Sequence, residues 1–469
     1  MTSTDTRIDR LERQVEALLA KVEEQAATIK AQATEITELK RRLSENSSNS
    51  NKPPSTDPPA ARAQRADPAP SGRRRGGQAG HKGHRRELLP LSQVTLREDC
   101  FPPTCRACEA PLPKTRDVAP LVRQVIDVPE IKPEVMQYDC HHVRCRCGIT
   151  TCGAPPAGTP PGLLGPRVLA LCGLVVADCN VSRRKVRELL HHLLGIRVSL
   201  GALSESEETT NDAVAPAVDE ARLHALGERV KHVDATSWSC AGAYRCLWTM
   251  ATAAVTVFFI ATDGTRATLE TWISKARGVL VTDRGTQFGF WAMERRQICW
   301  AHLLRKFASY ATRSGDAGKI GDHLLLWTRV LFHSWHRVRD GTMTRREFRA
   351  HAGRLREVIE RLLEQGTATP GIAGSCVDIL EHRAAMWRFV DDVGVEPTNN
   401  HAEREIRSFV LWRKTSYGSR SERGDAFAAN LKSVVHTCRK QGRPVLPYLT
   451  AAIQASLRGK AAPSLIVNR

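Results

Sequence analysis

The first part of the chain carries a heptad repeat of apolar residues that runs without a break from Ile8 to Leu43. The first core position is apolar throughout, and the second is leucine except for two glutamines: Ile8, Val15, Val22, Ile29, Ile36 and Leu43, with Leu11, Leu18, Gln25, Gln32 and Leu39. β-Branched residues at the first position with leucine at the second favour a parallel two-stranded coiled coil. Residues 6–45 are therefore predicted to form a dimerising arm, with a lone helix docked on the body as the alternative.

A helical pattern returns between residues 166 and 225. One predicted helix runs from Val181 to Gly195, and another starts at Ser199, a residue type that caps helices. A helix, a glycine turn and a capped helix are the outline of a helix-turn-helix module, which would make residues 161–225 a helical DNA-binding region. Any small helical bundle gives the same pattern, so structural packing is the alternative.

From residue 229 the pattern becomes that of β-strands. Strands are predicted at 229–234, 244–252 and 254–262, followed by a helix near 267–275 and a strand at 278–283. Three successive strands, a helix and another strand indicate an α/β sheet of the ribonuclease H type. Helical periodicity then fills residues 309–395, so we expect an all-helical insertion that divides this core into 226–308 and 396–455.

The charge of the chain is strongly positive and unevenly distributed. The 469 residues carry a formal net charge of +19, of which segments 61–87 and 400–469 hold +6 and +9. Clustered positive charge suggests a polyanionic partner, with nucleic acid as the default and a merely solvated surface as the alternative. Residues 46–95 are predicted to be a flexible basic linker whose cations contact DNA phosphates: Arg73, Arg74, Arg75 and Lys82.

No export signal and no membrane-spanning stretch is predicted. The most apolar segment, residues 247–261, is short and interrupted by threonines. We therefore expect a cytoplasmic protein without a membrane partner. Half of the 14 cysteines fall between residues 100 and 152, which in that compartment suggests metal ligands before disulfides.

The clustered cysteines include two short hairpin motifs, Cys105-x-x-Cys108 and Cys145-x-Cys147. Their four thiolates predict one structural Zn²⁺ ion and make residues 96–160 a zinc-binding module. Nearby side chains compete for the ligand roles: Cys100, Cys140, His141, His142 and Cys152.

Three carboxylates are candidates for chemistry. Asp234 and Asp283 are each predicted at the end of an apolar strand, so both could reach one edge of the sheet, and Glu403 follows 120 residues after Asp283. The alternatives are structural, because aspartate is common in turns. Asn400 could cap a helix, with Glu403 closing a capping box or pairing with Arg407.

Five motifs stand out between residues 234 and 424: Asp234-Ala235-Thr236-Ser237-Trp238, Val281-Thr282-Asp283, Cys299-Trp300-Ala301-His302-Leu303-Leu304-Arg305-Lys306, Asn399-Asn400-His401-Ala402-Glu403-Arg404, and Arg413-Lys414 with 418–424. Together they resemble the insertion sequence 66 family of bacterial transposases. The resemblance runs nearly end to end, through the heptads, a Gly-Gly-Gln-x-Gly-His-Lys-Gly stretch at 76–83 and the cysteine module. The chain departs from the family at Ala235, where the family often has glutamate, and in its shorter second cysteine hairpin.

The resemblance implies an Asp-Asp-Glu transposase. Asp234, Asp283 and Glu403 would hold two Mg²⁺ or Mn²⁺ ions and catalyse the cleavage and transfer of DNA strands. Cations near these residues are expected to contact DNA phosphates: His302, Arg305, Lys306, Arg404, Arg407, Arg413 and Lys414. The Cys299-x-x-His302 pair is expected to shape the wall of the site, with half of a zinc site as the alternative.

The expected partners are the terminal inverted repeats of a transposon and its target DNA. A second copy of the chain would join through the coiled coil into a homodimer or higher oligomer, and the resemblance implies small accessory proteins in a bacterial, nucleoid-associated setting. Two other functions stay open on the same sequence. One is a DNA-binding regulator derived from a transposase without nuclease activity, and the other is a ribonuclease H-fold repair or junction nuclease, which lacks strand transfer.

Overall fold

The computed structural model describes residues 3–44, 46 and 87–467, which fall into two units, one within 1–62 and 135–469 and one within 63–134. Most of the predicted basic linker lies outside the described residues, together with its cations Arg73, Arg74, Arg75 and Lys82. Helix α1 (Ser3–Ser44) is continuous over 42 residues. The heptad residues whose side chains are described are exposed, from Leu39 at 49% to Leu43 at 82%.

The smaller unit, described from residue 87 to 134, is built mostly of turns and extended segments around one 3₁₀ turn at Leu91–Gln93. Gln124 fixes its first part by donating to the Leu89 carbonyl (2.9 Å) and accepting from the Leu89 N–H (2.8 Å). Cys105 and Cys108 lie on a tight turn in which the Glu109 N–H donates to the Cys105 carbonyl at 3.0 Å.

The larger unit contains an antiparallel hairpin of β1 (His142–Arg144) and β2 (Thr150–Cys152). Cys145 and Cys147 lie in the turn between the two strands. The turn closes through a hydrogen bond from the Gly148 N–H to the Cys145 carbonyl (2.9 Å), with Gly148 at φ +91°, a conformation that suits glycine.

Three helices follow the hairpin: α2 (Pro166–Cys179), α3 (Arg183–Leu194) and α4 (Leu200–Gly227). The predicted cap Ser199 is confirmed, because it accepts from the Ala202 N–H (3.0 Å). The helix predicted from Val181 begins at Arg183, since Ser182 caps it by accepting from the Lys185 N–H (3.4 Å). Gly195 ends α3 at φ +66°. Apolar side chains of all three helices belong to the same hydrophobic core as the sheet that follows.

The sheet is mixed and has the strand order β5-β4-β3-β6-β7. Its strands are β3 (Val230–Cys240), β4 (Ala243–Ala251), β5 (Thr256–Ala261), β6 (Val279–Thr282) and β7 (Arg296–Ile298). The first three form an antiparallel meander, and α5 (Arg266–Ile273) leads from β5 to β6, which is parallel to both β3 and β7. The predicted α/β sheet is therefore confirmed.

The prediction that Asp234 ends its strand is wrong. β3 continues to Cys240 because it stays paired with β4 from His232 opposite Ala251 to Cys240 opposite Ala243. The apolar run stops at Asp234, but the backbone ladder does not need apolar side chains to continue. Asp234 consequently lies in the middle of the longest strand of the sheet.

Helices also fill the chain between β7 and Asn400. They are α6 (Trp300–Ala311), α7 (Gly315–Arg339), α8 (Arg345–Thr367) and α9 (Ala373–Glu381), with short turns at Arg383–Met386 and Arg388–Asp391. Their aromatic residues are core, as expected: Trp335 is 6% exposed and packs on Phe348 and Phe389. This second core includes Val281 and Ile298 of the sheet.

Three helices complete the chain: α10 (Asn400–Ser416), α11 (Glu422–Lys440) and α12 (Val445–Leu457). Neighbouring residues of β5 show the layering, because Phe258 packs on Phe409 of α10 (4.9 Å between ring centroids) while Phe259 stacks on Trp272 of α5 (5.3 Å). Consecutive strand residues face opposite sides, so helices cover both faces of the sheet. Within the described ranges, no helix has the length and apolar character needed to cross a membrane.

Candidate active site

Asp234 and Asp283 are brought together by the pairing of two parallel strands. In the register of β3 with β6, Val230 is opposite Val279 and His232 is opposite Val281. Two residues further along, the same register brings Asp234 level with Asp283, which directly follows β6. Neighbouring strands lie about 4.8 Å apart, so the two carboxylates share one place on the sheet although their strands differ in length.

The backbone around Asp283 is fixed by a buried arginine. The Arg296 guanidinium, 0% exposed, donates to the Asp283 carbonyl (2.7 Å) and to the Thr282 hydroxyl (2.9 Å). The Asp283 side chain itself accepts from the Gly285 N–H at 2.8 Å. The loop after β6 is thus fixed through both the backbone and the side chain of Asp283.

Glu403 reaches the same region because Asn399, at the start of α10, is inserted between two elements. Asn399 is 1% exposed; its amide donates to the Val233 carbonyl (2.8 Å) and its oxygen lies 3.3 Å from Nδ1 of His232. Its backbone N–H donates to Sγ of Cys299 at 3.1 Å. These contacts attach the first turn of α10 to β3 on one side and to the loop before α6 on the other.

The structure contradicts the capping and ion-pair roles that the sequence left open for Asn400 and Glu403. Asn399, not Asn400, is the N-cap residue of α10, and it makes no side-chain capping hydrogen bond. The capping box of Asn400 with Glu403, one of the two structural alternatives, is therefore not formed. The ion-pair contacts of Glu403 in the described ranges are with His302 (3.8 Å) and Arg305 (3.7 Å), rather than with Arg407.

The two oxygens of Glu403 have different neighbours. Oε2 faces Nη2 of Arg305, whereas Oε1 faces Nδ1 of His302 and, at 4.0 Å, Sγ of Cys299. Cys299, His302 and Glu403 each place a ligand atom within 4.8 Å of the other two. Burial and the charge of Arg305 lower the pKa of His302, so its imidazole is neutral at pH 7.

The electrostatics of Asp234 show that the three carboxylates interact. Burial raises the pKa of Asp234 to about 7, and the negative charges of Asp283 and Glu403 add to this effect. The Ala235 N–H, which donates to Asp234 at 2.9 Å, and the charge of Arg305 oppose it only in part. Burial beside two further carboxylates therefore disfavours the charged form of Asp234.

A buried polar cluster anchors α10 to α11 and β5. The sequence analysis did not predict this cluster. Glu405 accepts from His436 of α11 (2.5 Å) and lies 3.3 Å from Nζ of Lys440, which also donates to Thr256 (2.6 Å). Burial alone would raise the pKa of Glu405, but hydrogen bonds from His401 and His436 and the charge of Lys440 lower it well below its ordinary value. The i, i+4 spacing of His401 and Glu405 was the available signal.

The cations predicted to bind DNA occupy different environments. His302 and Arg305 line the site beside Glu403, and Lys306 follows them on α6 as a half-buried residue. Arg404, Arg407 and Lys414 are exposed on α10. Arg413 donates to the Ser237 hydroxyl at 2.5 Å and also to the Ser237 carbonyl, so it attaches α10 to β3.

The predicted zinc ligands lie in both units, and each pair is described by itself. Hydrogen bonds from Ala107 and Cys108 lower the pKa of Cys105 within its turn, and hydrogen bonds from Cys147 lower that of Cys145. Backbone N–H groups that converge on a thiol favour its thiolate, the form that binds metal. Each turn thus favours the thiolate of its first cysteine, and the four-cysteine zinc site stays a prediction.

Comparison with known families assigns the larger unit. The model of the "Transposase IS66 family" matches residues 162–426, more than half of the chain. The chain belongs to the IS66 transposase family. The matched range of this IS66 member begins just before α2 and includes all five strands of the sheet, Asp234, Asp283 and Glu403.

Two further similarities were found outside or across that range. Residues 2–87 match a "Family of unknown function (DUF6444)". A protein of Sinorhizobium fredii (strain NBRC 101917 / NGR234), described as "Uncharacterized protein y4qI", is 29% identical over 167 residues, 34% of this chain. The alignment spans 31% of that protein's length.

Proposed function

We propose that the protein is a metal-dependent DNA transposase that binds transposon ends and cleaves and transfers DNA strands through Asp234, Asp283 and Glu403. The observation that carries the proposal is the convergence of these carboxylates: Asp234 and Asp283 share one level of two parallel strands, and both Asp283 and Glu403 raise the pKa of Asp234. The antiparallel meander followed by two parallel strands supports a ribonuclease H-like core. Membership of the IS66 family supports the transposase role.

Three carboxylates are a donor set of the kind that holds a pair of Mg²⁺ or Mn²⁺ ions. Carboxylate oxygens are the ligands that these hard cations prefer, and divalent ions would offset the cost of charging the buried Asp234 beside Asp283 and Glu403. Such ions would activate the attacking oxygen and stabilise the leaving 3′ oxygen of an in-line displacement. The chain itself contributes two aspartates fixed by strand pairing and a glutamate fixed through Asn399.

DNA binding is proposed on the side of the site where α10 exposes its cations. Arg404 and Arg407 are one helical turn apart and exposed, next to Glu403, and Lys414 continues the series. Positive side chains in this position neutralise phosphates and release counterions. We further propose that α1 pairs with a second copy of the chain, that the cysteine turns bind structural Zn²⁺, and that terminal repeats, target DNA and small accessory proteins are the partners in a bacterial nucleoid.

The test is cleavage of labelled duplexes that carry the sequences flanking the gene, with Mg²⁺ or Mn²⁺. Asp234→Asn, Asp283→Asn and Glu403→Gln should each lower the cleavage rate at least about 100-fold, because each removes charge that the ions need, while DNA affinity stays within a few-fold. The matched control is Glu396→Gln, an exposed carboxylate seven residues before Glu403, which should cleave like the wild type.

The outcomes separate the three functions. A wild-type chain that binds the flanking DNA and cleaves no DNA with either metal would support a regulator without nuclease activity. Cleavage of branched DNA without joining of the free 3′ end to a target would support a junction nuclease. Cleavage that survives in any one of the three variants would remove that residue from the catalytic role.

A further inference from the structure

The carboxylate Glu403 also belongs to a second group of donors, which the acidic triad does not use. Its Oε1 atom faces Nδ1 of His302 at 3.8 Å and Sγ of Cys299 at 4.0 Å, and the third separation in this triangle is at most 4.8 Å. Donor atoms of a tetrahedral ion with bonds of about 2.0–2.3 Å lie about 3.3–3.8 Å apart, so small shifts of the side chains would bring these atoms to bonding distance. The spacing therefore suits one small metal ion.

We propose that Cys299, His302 and Glu403 form a binding site for a single transition-metal ion of the Zn²⁺ class. Sulfur, imidazole and carboxylate together are a donor set that selects Zn²⁺ over Mg²⁺. Three protein ligands leave one position of a tetrahedral ion open, as in zinc sites that exchange their fourth ligand. The site is distinct in chemistry from the all-oxygen triad, and the two share only Glu403.

Two further observations support the site. Nδ1 of His302, the atom that faces Glu403, is buried and makes no hydrogen bond among the described residues. The Cys299 thiol is 1% exposed; its sulfur accepts the Asn399 N–H, and its own proton is directed at Oε1 of Glu403. A metal ion would take the place of that proton between sulfur and oxygen, and it would give His302 the partner that it lacks.

The local backbone keeps the donors in place without an ion. Cys299 and His302 are three residues apart at the start of α6, where the His302 N–H donates to the Cys299 carbonyl at 3.1 Å. Glu403 comes from α10, which Asn399 ties to the same cysteine. Ligands that are already positioned lose little conformational freedom when an ion binds.

If Glu403 acts as proposed above, the site has a consequence for activity. An ion held by Cys299 and His302 would occupy Oε1 of Glu403 and withdraw it from the Mg²⁺ pair, so zinc would inhibit cleavage. This consequence rests on the proposed function, whereas the binding of the ion does not. The test is therefore a binding measurement without DNA.

The experiment compares full-length proteins for zinc content at saturation and for the absorption of added Co²⁺. Cys299→Ala and His302→Gln should each bind one Zn²⁺ ion fewer per chain than the wild type, and the Co²⁺ difference spectrum should lose a thiolate charge-transfer band in Cys299→Ala. Cys438→Ala is the matched control, because Cys438 is also buried but lies on α11 away from the group. Zinc held by the clustered cysteines is common to all of these proteins and cancels in the comparison.

Unchanged zinc content in both Cys299→Ala and His302→Gln would overturn the proposal. His302→Gln guards against misfolding, since the His302 side chain is 19% exposed and the fold tolerates change there better than at Cys299. Asp283→Asn distinguishes the two metal sites: it should keep the ion, and loss of the ion would place it on the acidic triad instead. A protein that binds the ion but, once freed of zinc, cleaves no DNA with Mg²⁺ or Mn²⁺ refutes only the proposed function. A protein that cleaves DNA and never binds the ion refutes only this site.

Discussion

At the scale of single residues, two adjacent asparagines illustrate how a site depends on burial. Asn399 is buried and connects Val233, His232 and Cys299, whereas Asn400 is exposed at the first turn of the same helix. The sequence offers a capping role for Asn400 alone. The buried contacts are made by Asn399, although its side chain does not cap the helix.

Asn399→Ala should destabilise the protein by about 2–4 kcal/mol, because it leaves the Val233 carbonyl and the His232 ring without their partner in a buried place. Asn400→Ala is the matched control and should change stability by less than about 0.5 kcal/mol. Urea denaturation followed by tryptophan fluorescence measures both. Equal effects of the two substitutions would show that the Asn399 contacts contribute nothing beyond an ordinary helix start.

At the scale of elements, α1 shows what periodicity predicts well. The heptad predicted one long helix, and the structure has one helix over Ser3–Ser44. The pairing of this helix is a separate question, since the apolar stripe is exposed in the single chain, with Val22 at 60% and Ile29 at 65%. An exposed apolar stripe of this length is a surface for self-association.

Ile29→Glu should convert the dimer into a monomer at micromolar concentration, because it introduces a charge at a first core position of the heptad. Ala27→Glu is the matched control: it adds the same charge two residues earlier, at an outer position of the heptad, and should leave the dimer intact. Multi-angle light scattering after size exclusion measures the mass. A wild-type protein that runs as a monomer at tens of micromolar would refute the coiled-coil proposal.

Strand β3 shows where periodicity fails. Its apolar run ends at Asp234, and the strand was therefore predicted to end there. The partner strand β4 extends it by six residues through Thr236, Ser237 and Ser239, and Arg413 of α10 binds it there. Strand length is decided by the neighbouring strand, and the sequence of one strand does not contain that information.

At the scale of the whole molecule, the question is how much of the excess positive charge is exposed and available to DNA phosphates. The net charge is +19, and part of it is exposed on α10 beside Glu403. Other cations of the same segment are used inside the fold: Lys432 is 1% exposed, and Arg413 contacts Ser237. Charge counting alone therefore overestimates the cations available for phosphate contacts.

Arg407→Ala should lower the slope of log affinity against log salt concentration by about 1, because one phosphate contact is lost, with an equal effect on specific and random DNA. Arg361→Ala is the matched control: an exposed arginine on α8 of the helical region, which should leave the slope unchanged. Fluorescence anisotropy at several salt concentrations measures the slope. An unchanged slope in Arg407→Ala would place DNA on another face.

The sequence by itself determined the local elements and the family motifs. Heptads, the capping serine Ser199 and the apolar strand runs each depend on residues within a few positions of one another, so their pattern is readable along the chain. It also provided Asp234, Asp283 and Glu403 as candidates, although turn and capping roles competed for each of them.

Only the tertiary structure decided which of these residues meet. Asp234 and Asp283 lie at the same level of the sheet because β3 and β6 pair in a parallel register. Glu403 lies beside Cys299 and His302 because α10 is held by the buried Asn399. A polar cluster also holds this helix, and its members are Glu405, His436 and Lys440. These contacts join residues 31 to 104 positions apart. Such contacts follow from the packing of whole helices and strands, which no local pattern encodes.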